Sequence, residues 1–161
     1  MREHGVLPRS AGEDYHERAL EEQYVFPRES QLKGEAARLP DVLKTQHERG
    51  RAITDYILAV TVRGSVASAN ATPLANTLDA FVLMYQHHTA LEDTIIFPAW
   101  KQALSDSEYH ELSERFEDLE HKMFGKDGFE DALKRIGQVE RDMGIADLVR
   151  FTAPRPPRPT A

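Results

Sequence analysis

Two stretches of this chain share one pattern, seventy-one residues apart. The first is Glu21-Glu22-Gln23-Tyr24-Val25-Phe26-Pro27 and the second Glu92-Asp93-Thr94-Ile95-Ile96-Phe97-Pro98. Each reads acid, acid, polar, large apolar, β-branched, Phe, Pro. Each also has a histidine upstream, His88 four residues before Glu92 and His16 five before Glu21. Residues four apart share a helix face, so His88 and Glu92 offer an imidazole nitrogen and a carboxylate to one point. Five residues on a regular helix place two side chains about 140° apart. His16 and Glu21 therefore meet only through a π-type turn or long-reaching rotamers. The repeat points to two helices that each contribute half of one polar site.

The remaining sequence supplies more helices and no competing strand alternation. Gly5, Pro8 and Gly12 limit residues 1–12 to a stub and a turn, because proline costs about 3 kcal/mol in a helix interior. A first helix is expected from about Glu13, bent or ended by Pro27, with one more turn to Lys33 and Gly34 as its C-cap. A second starts near Leu39-Pro40 and stops at Gly64, and Ser65–Thr72 reads as a loop. Thr72-Pro73 has the chemistry of an N-cap followed by a first-turn proline, opening a long helix through His88 to Ile95 that Pro98 kinks. Ser105 and Glu108 form a capping box for a helix ended by Gly125, and another runs from about Gly128 to Met143. The segment rich in Pro and Arg after residue 150 is expected to be extended and disordered. The fold class is all-α, a helical bundle, with one domain over 1–150 and a tail over 151–161.

Composition narrows the function. The absence of cysteine removes disulfides, thiolate zinc sites and iron–sulfur clusters. A net charge of -7 with no basic stripe argues against nucleic acid. No apolar run reaches the roughly 18 residues of a membrane span, and Met1–Gly5 has no apolar signal core, so a cytoplasmic location is expected. Seven histidines gather beside acids instead. His4, His16 with Glu21, His47, and His88 with Glu92 make four imidazoles and two carboxylates. That donor set suits two iron or manganese ions bridged by the glutamates, and zinc fits it as well. His87 lies about 100° from His88 and reads as outward-facing or supporting. His110 reads as solvated, and His121 as a helix C-terminal histidine favoured by the dipole.

These residues resemble the hemerythrin-like (HHE cation-binding) family. The likeness runs through Arg2-Glu3-His4-Gly5-Val6-Leu7, Tyr15-His16-Glu17, Tyr24-Val25-Phe26-Pro27, Gln46-His47 and His88 to Phe97-Pro98, and Arg115–Gly125 is similar to an extension in one bacterial branch. The resemblance implies an up-and-down four-helix bundle with additional C-terminal helices. It also implies a non-haem centre of two irons held by His4, His16, Glu21, His47, His88 and Glu92. The implied ligand is O2, peroxide or nitric oxide, in oxygen or iron handling or the response to oxidative stress. Because the family includes binders, sensors and peroxide-decomposing members, catalysis and binding both stay open.

One departure concerns length. His47 to Pro98 spans 51 residues, His4 to Pro27 only 23, so the first half is short by 28, close to one helix with its loop. The eleven residues between His4 and His16 could still span about 36 Å when extended. A metal-free or single-metal helical scaffold is the alternative, and pairing with a second copy would be a way to replace the missing helix.

Overall fold

The computed structural model describes residues 9–31, 33–125 and 128–157. His4, the expected stub before Arg9 and the last four residues of the tail lie outside them. Among the described residues the structure is helical with no strand. A π-helix, Arg9–Val25, runs into short 3-10 turns at Phe26–Gln31 and Gly34–Arg38. Helix α1 covers Leu39–Thr61, α2 Ser68–Leu91, α3 Phe97–Gln102, α4 Asp106–Phe124 and α5 Gly128–Asp142. A π turn, Glu92–Ile96, joins α2 to α3 without a break. The π-helix packs on α1 and α4, α1 on α2, and α4 on α5.

Most helix boundaries follow local chemistry. Pro40 sits in the first turn of α1, where its missing N–H costs nothing. Gly64, at φ 71, turns the chain out of α1. The Ser105–Glu108 box caps α4 reciprocally, and Gly125 at φ 79 ends it. Three expectations need correction. The first helix begins at Arg9 rather than near Glu13, and takes Gly12 into its body. Helix α2 begins at Ser68 behind an extended Ala67, so Thr72-Pro73 lies inside it. Pro73 is close enough to that end to cost only one backbone hydrogen bond. Pro98 makes no break: it falls in the first turn of α3, and the π turn before it gives the ring the room an α-helix lacks.

The apolar core sits where the two Phe-Pro motifs meet. Val25, Phe26, Ala36, Leu43, Ile96 and Trp100 are buried, with Leu39, Leu91, Ile95, Phe97 and Phe116 packed around them. Burying a side chain such as Leu43 or Ile96 contributes about 1.5–3 kcal/mol. The Trp100 indole N–H donates to the Tyr24 carbonyl at 3.3 Å and ties the halves together. Tyr15 and Tyr24 meet α4 edge-on at Phe124 and Phe116, so α4 lies along the short first helix. Val62, directly after α1, and Leu78, Val82 and Leu83 of α2 are exposed to solvent. No described helix is long and apolar enough to cross a membrane.

Candidate metal centre

The first half of the site is set by π-type winding. Hydrogen bonds over five residues stack positions five apart, and in the π-helix this brings His16 Nε2 to 3.0 Å from Glu21 Oε1. The second half reaches the same result differently. His88 and Glu92 are four apart at the end of α2, with Nε2 and Oε1 separated by 2.7 Å. Directly after them the Phe97 N–H reaches back to the Glu92 carbonyl, closing the π turn. Both π segments end on the residue before a Phe-Pro pair.

Helix α1 passes between the halves and delivers His47. Its Nε2 lies 3.2 Å from Glu21 Oε2, 3.1 Å from His88 Nε2 and 3.9 Å from Glu92 Oε1. One ligand atom from each of Glu21, His47, His88 and Glu92 falls within 4.8 Å of the others, and all four residues are buried. Phe26 stacks on the His47 ring and Tyr85 leans on that of His88, forming the apolar walls.

The protons of this cluster decide what it can hold. His88 Nδ1 donates to Gln46 Oε1 at 2.9 Å, and His47 Nδ1 to Glu22 Oε1 at 3.1 Å. When the rings are neutral, as ligation requires, both acceptors select the tautomer that leaves Nε2 as a lone pair, the arrangement in which outer partners orient metal-binding histidines. Two lone pairs then face both oxygens of Glu21 and Oε1 of Glu92, three buried acceptor atoms set against the ring nitrogens of His16, His47 and His88. Buried charge of one sign is costly until a cation compensates it, so these residues fit a metal ion.

The electrostatics agree. Burial lowers the His47 pKa, yet Glu21 and Glu92 outweigh it and push the imidazole up to about 10. Burial raises that of Glu92, but hydrogen bonds from His47 and His88 pull it down to about 2. The hydrogen bond to Glu21 raises that of His16. A pocket that draws a proton this strongly attracts other cations too.

A second set of groups lies on the far side of His47. Arg51 Nη1 sits 3.0 Å from both Glu17 Oε2 and Glu22 Oε1, and the Tyr85 hydroxyl donates to Glu17 Oε1 at 2.6 Å. Glu22 also borders a cleft of about 180 Å³ lined by Phe26, Pro27, Pro40, Asp41 and Lys44.

Of the residues expected as ligands, Glu21, His47, His88 and Glu92 converge. His16 touches Glu21 from a half-exposed position, its side chain 52% accessible, and His4 lies outside the described residues. His87, His110 and His121 are exposed. Tyr24 accepts from Arg115 Nε at 2.6 Å. Sequence reasoning gave no role to Glu22 and Arg51, and none to Glu17 and Gln46 beyond their place in the family likeness. The repeat itself held the signal for Glu17: aligning the Phe-Pro pairs sets it on His88, and His16 on His87.

No family model matches this sequence, and no solved structure matches it. An uncharacterized protein of Mycobacterium bovis and uncharacterized proteins of two Mycobacterium tuberculosis strains are each 42% identical to it over 141 residues. The match covers 87% of this chain and 54% of each relative, so the chain spans about half the length of these curated relatives.

Proposed function

We propose that the buried His/Glu cluster is a non-haem di-iron centre of hemerythrin type, and that the protein binds or reacts with O2, peroxide or nitric oxide. The observation that carries this reading is the divided carboxylate of Glu21, with Oε1 turned to His16 and Oε2 to His47. A carboxylate that offers one oxygen to each of two histidines is suited to lie between two adjacent cations. His47 and His88 would hold iron through Nε2, Glu92 beside them, Glu21 between the positions and His16 on the outer one. Bound there, iron would supply open coordination positions and electrons to a diatomic or peroxide ligand.

The chain's own residues do the rest. Glu22 and Gln46 keep the Nδ1 protons of the two histidines in place. Phe26, buried and stacked on the His47 ring, keeps water from that side of the cluster. Anaerobic loading with ferrous iron followed by metal analysis tests the proposal. Two ions per chain, with an absorption change on adding nitric oxide, are expected; no bound iron would sink it. One ion per chain would favour a single-metal centre of Glu21, His47, His88 and Glu92, a reading supported by the burial of those four against the exposure of His16.

A further inference from the structure

The chain contains a second cluster with metal-ligand chemistry, and it is closed by an arginine. Glu17, Glu22 and His47 bring one ligand atom each within 4.8 Å of one another. The cluster shares His47 with the metal centre, Nδ1 on this side and Nε2 on the other. Between the two carboxylates, 3.0 Å from an oxygen of each, lies Arg51 Nη1. Arg51 gets there because it follows His47 by four residues on α1, one turn along the same face.

The surroundings hold this arrangement in place. The second Glu17 oxygen takes the Tyr85 hydroxyl at 2.6 Å. Tyr85 crosses α1 over Gly50, where a Cβ would collide with the tyrosine hydroxyl. Glu17 is 4% exposed and matches His88 in the register of the repeat. A carboxylate in a ligand's position is thus turned from the metal centre and bound by a guanidinium and a phenol.

We propose that Arg51 is a built-in counter-cation that closes the Glu17–Glu22–His47 cluster to metal, and so determines how many ions the chain holds. This rests on the metal-centre reading above. Guanidinium stays charged across the working pH range, so an incoming divalent ion must expel it from between two carboxylates. Without Arg51, those carboxylates and His47 Nδ1 form an acid-rich set open to such an ion. A neutral imidazole has one lone pair to give. An extra ion at Nδ1 therefore leaves the first centre filled only where the ring gives up both protons and binds through both nitrogens, with Glu17 and Glu22 completing the extra site. By neutralising Glu17 and Glu22, Arg51 leaves His47 Nδ1 protonated and donating to Glu22, with Nε2 facing Glu21, His88 and Glu92.

Cobalt(II) titration of the metal-free full chain, followed by absorption and metal analysis, tests this. Arg51→Met and Arg51→Gln are expected to bind one more cobalt per chain than wild type. Arg51→Lys, which keeps the charge, should hold the wild-type number, and adding Glu17→Ala to Arg51→Met should remove the extra ion. Gln at 51 guards against a folding failure of the Met variant, since it retains hydrogen bonding. If a folded Arg51→Gln variant saturates at the wild-type number, the role of Arg51 is overturned. A wild-type chain that takes up no cobalt instead overturns the metal-centre reading beneath it.

Discussion

The two Phe-Pro repeats reach the same place by unequal means. The second keeps α geometry through His88 and Glu92, both buried, and widens only afterwards, at Glu92–Ile96. The first is π-wound throughout, and its histidine makes contact from a half-exposed position while Glu17 fills the buried place corresponding to His88. One extra residue between histidine and acid therefore changes more than spacing. It transfers burial from an imidazole to a carboxylate, and the buried carboxylate needs a cation of its own, which Arg51 supplies. The second repeat is an open half-site, the first a half-site partly satisfied from within.

The largest effect should separate shared ligands from outer ones. Glu21→Ala and His88→Ala are each expected to abolish iron binding, whereas His16→Ala should retain at least one ion, as read by metal analysis after anaerobic loading. Equal loss in all three would erase the distinction between the halves. Metal removal comes next. At a hundredfold excess over Kd, binding adds about 2.7 kcal/mol, so chelation should lower Tm by about 5–10 °C for a chain of this size. An unchanged Tm in wild type would contradict a metal-linked fold.

The partners of the two histidines offer a finer test. Gln46→Ala and Glu22→Ala should each weaken metal affinity by roughly 10–100-fold, the acid more than the amide, in competition with a coloured chelator. The reverse order would mean that charge behind His47 does not govern its donor strength.

The smallest effect is on pH dependence. His47 is raised from 6.5 to about 10 in the metal-free chain, so its contribution to stability is complete below about pH 6.5 and lost as pH rises through about 10. Glu92 has the opposite sign: lowered from 4.5 to about 2, it contributes above about pH 4.5 and loses that as pH falls toward 2. Melting curves of metal-free protein should therefore decline from pH 7 to 10. Metal-loaded protein should not share that decline, because a ligating imidazole is already neutral.

The capping box at Ser105, the glycine stops at Gly64 and Gly125 and the first-turn Pro40 were legible because each acts on its immediate neighbours. His88 and Glu92 were legible too, since four residues on a helix define a shared face before any packing occurs. The start of α2 was not: Thr72-Pro73 has good capping chemistry, but the helix extends five residues further back, where no side-chain cap is present. The same division runs through the site. Sequence alone determined that two acid-Phe-Pro helices with upstream histidines would be built, and that His16 would reach Glu21 only through a π-type turn or long-reaching rotamers; the structure has the π winding. Only the tertiary structure decided that α1 would pass between them, bringing His47 Nε2 toward Glu21, Glu92 and His88, and Arg51 between Glu17 and Glu22. Contacts within one helix follow from its periodicity, whereas these join residues 26 to 45 positions apart and exist only once packing has set how the helices cross.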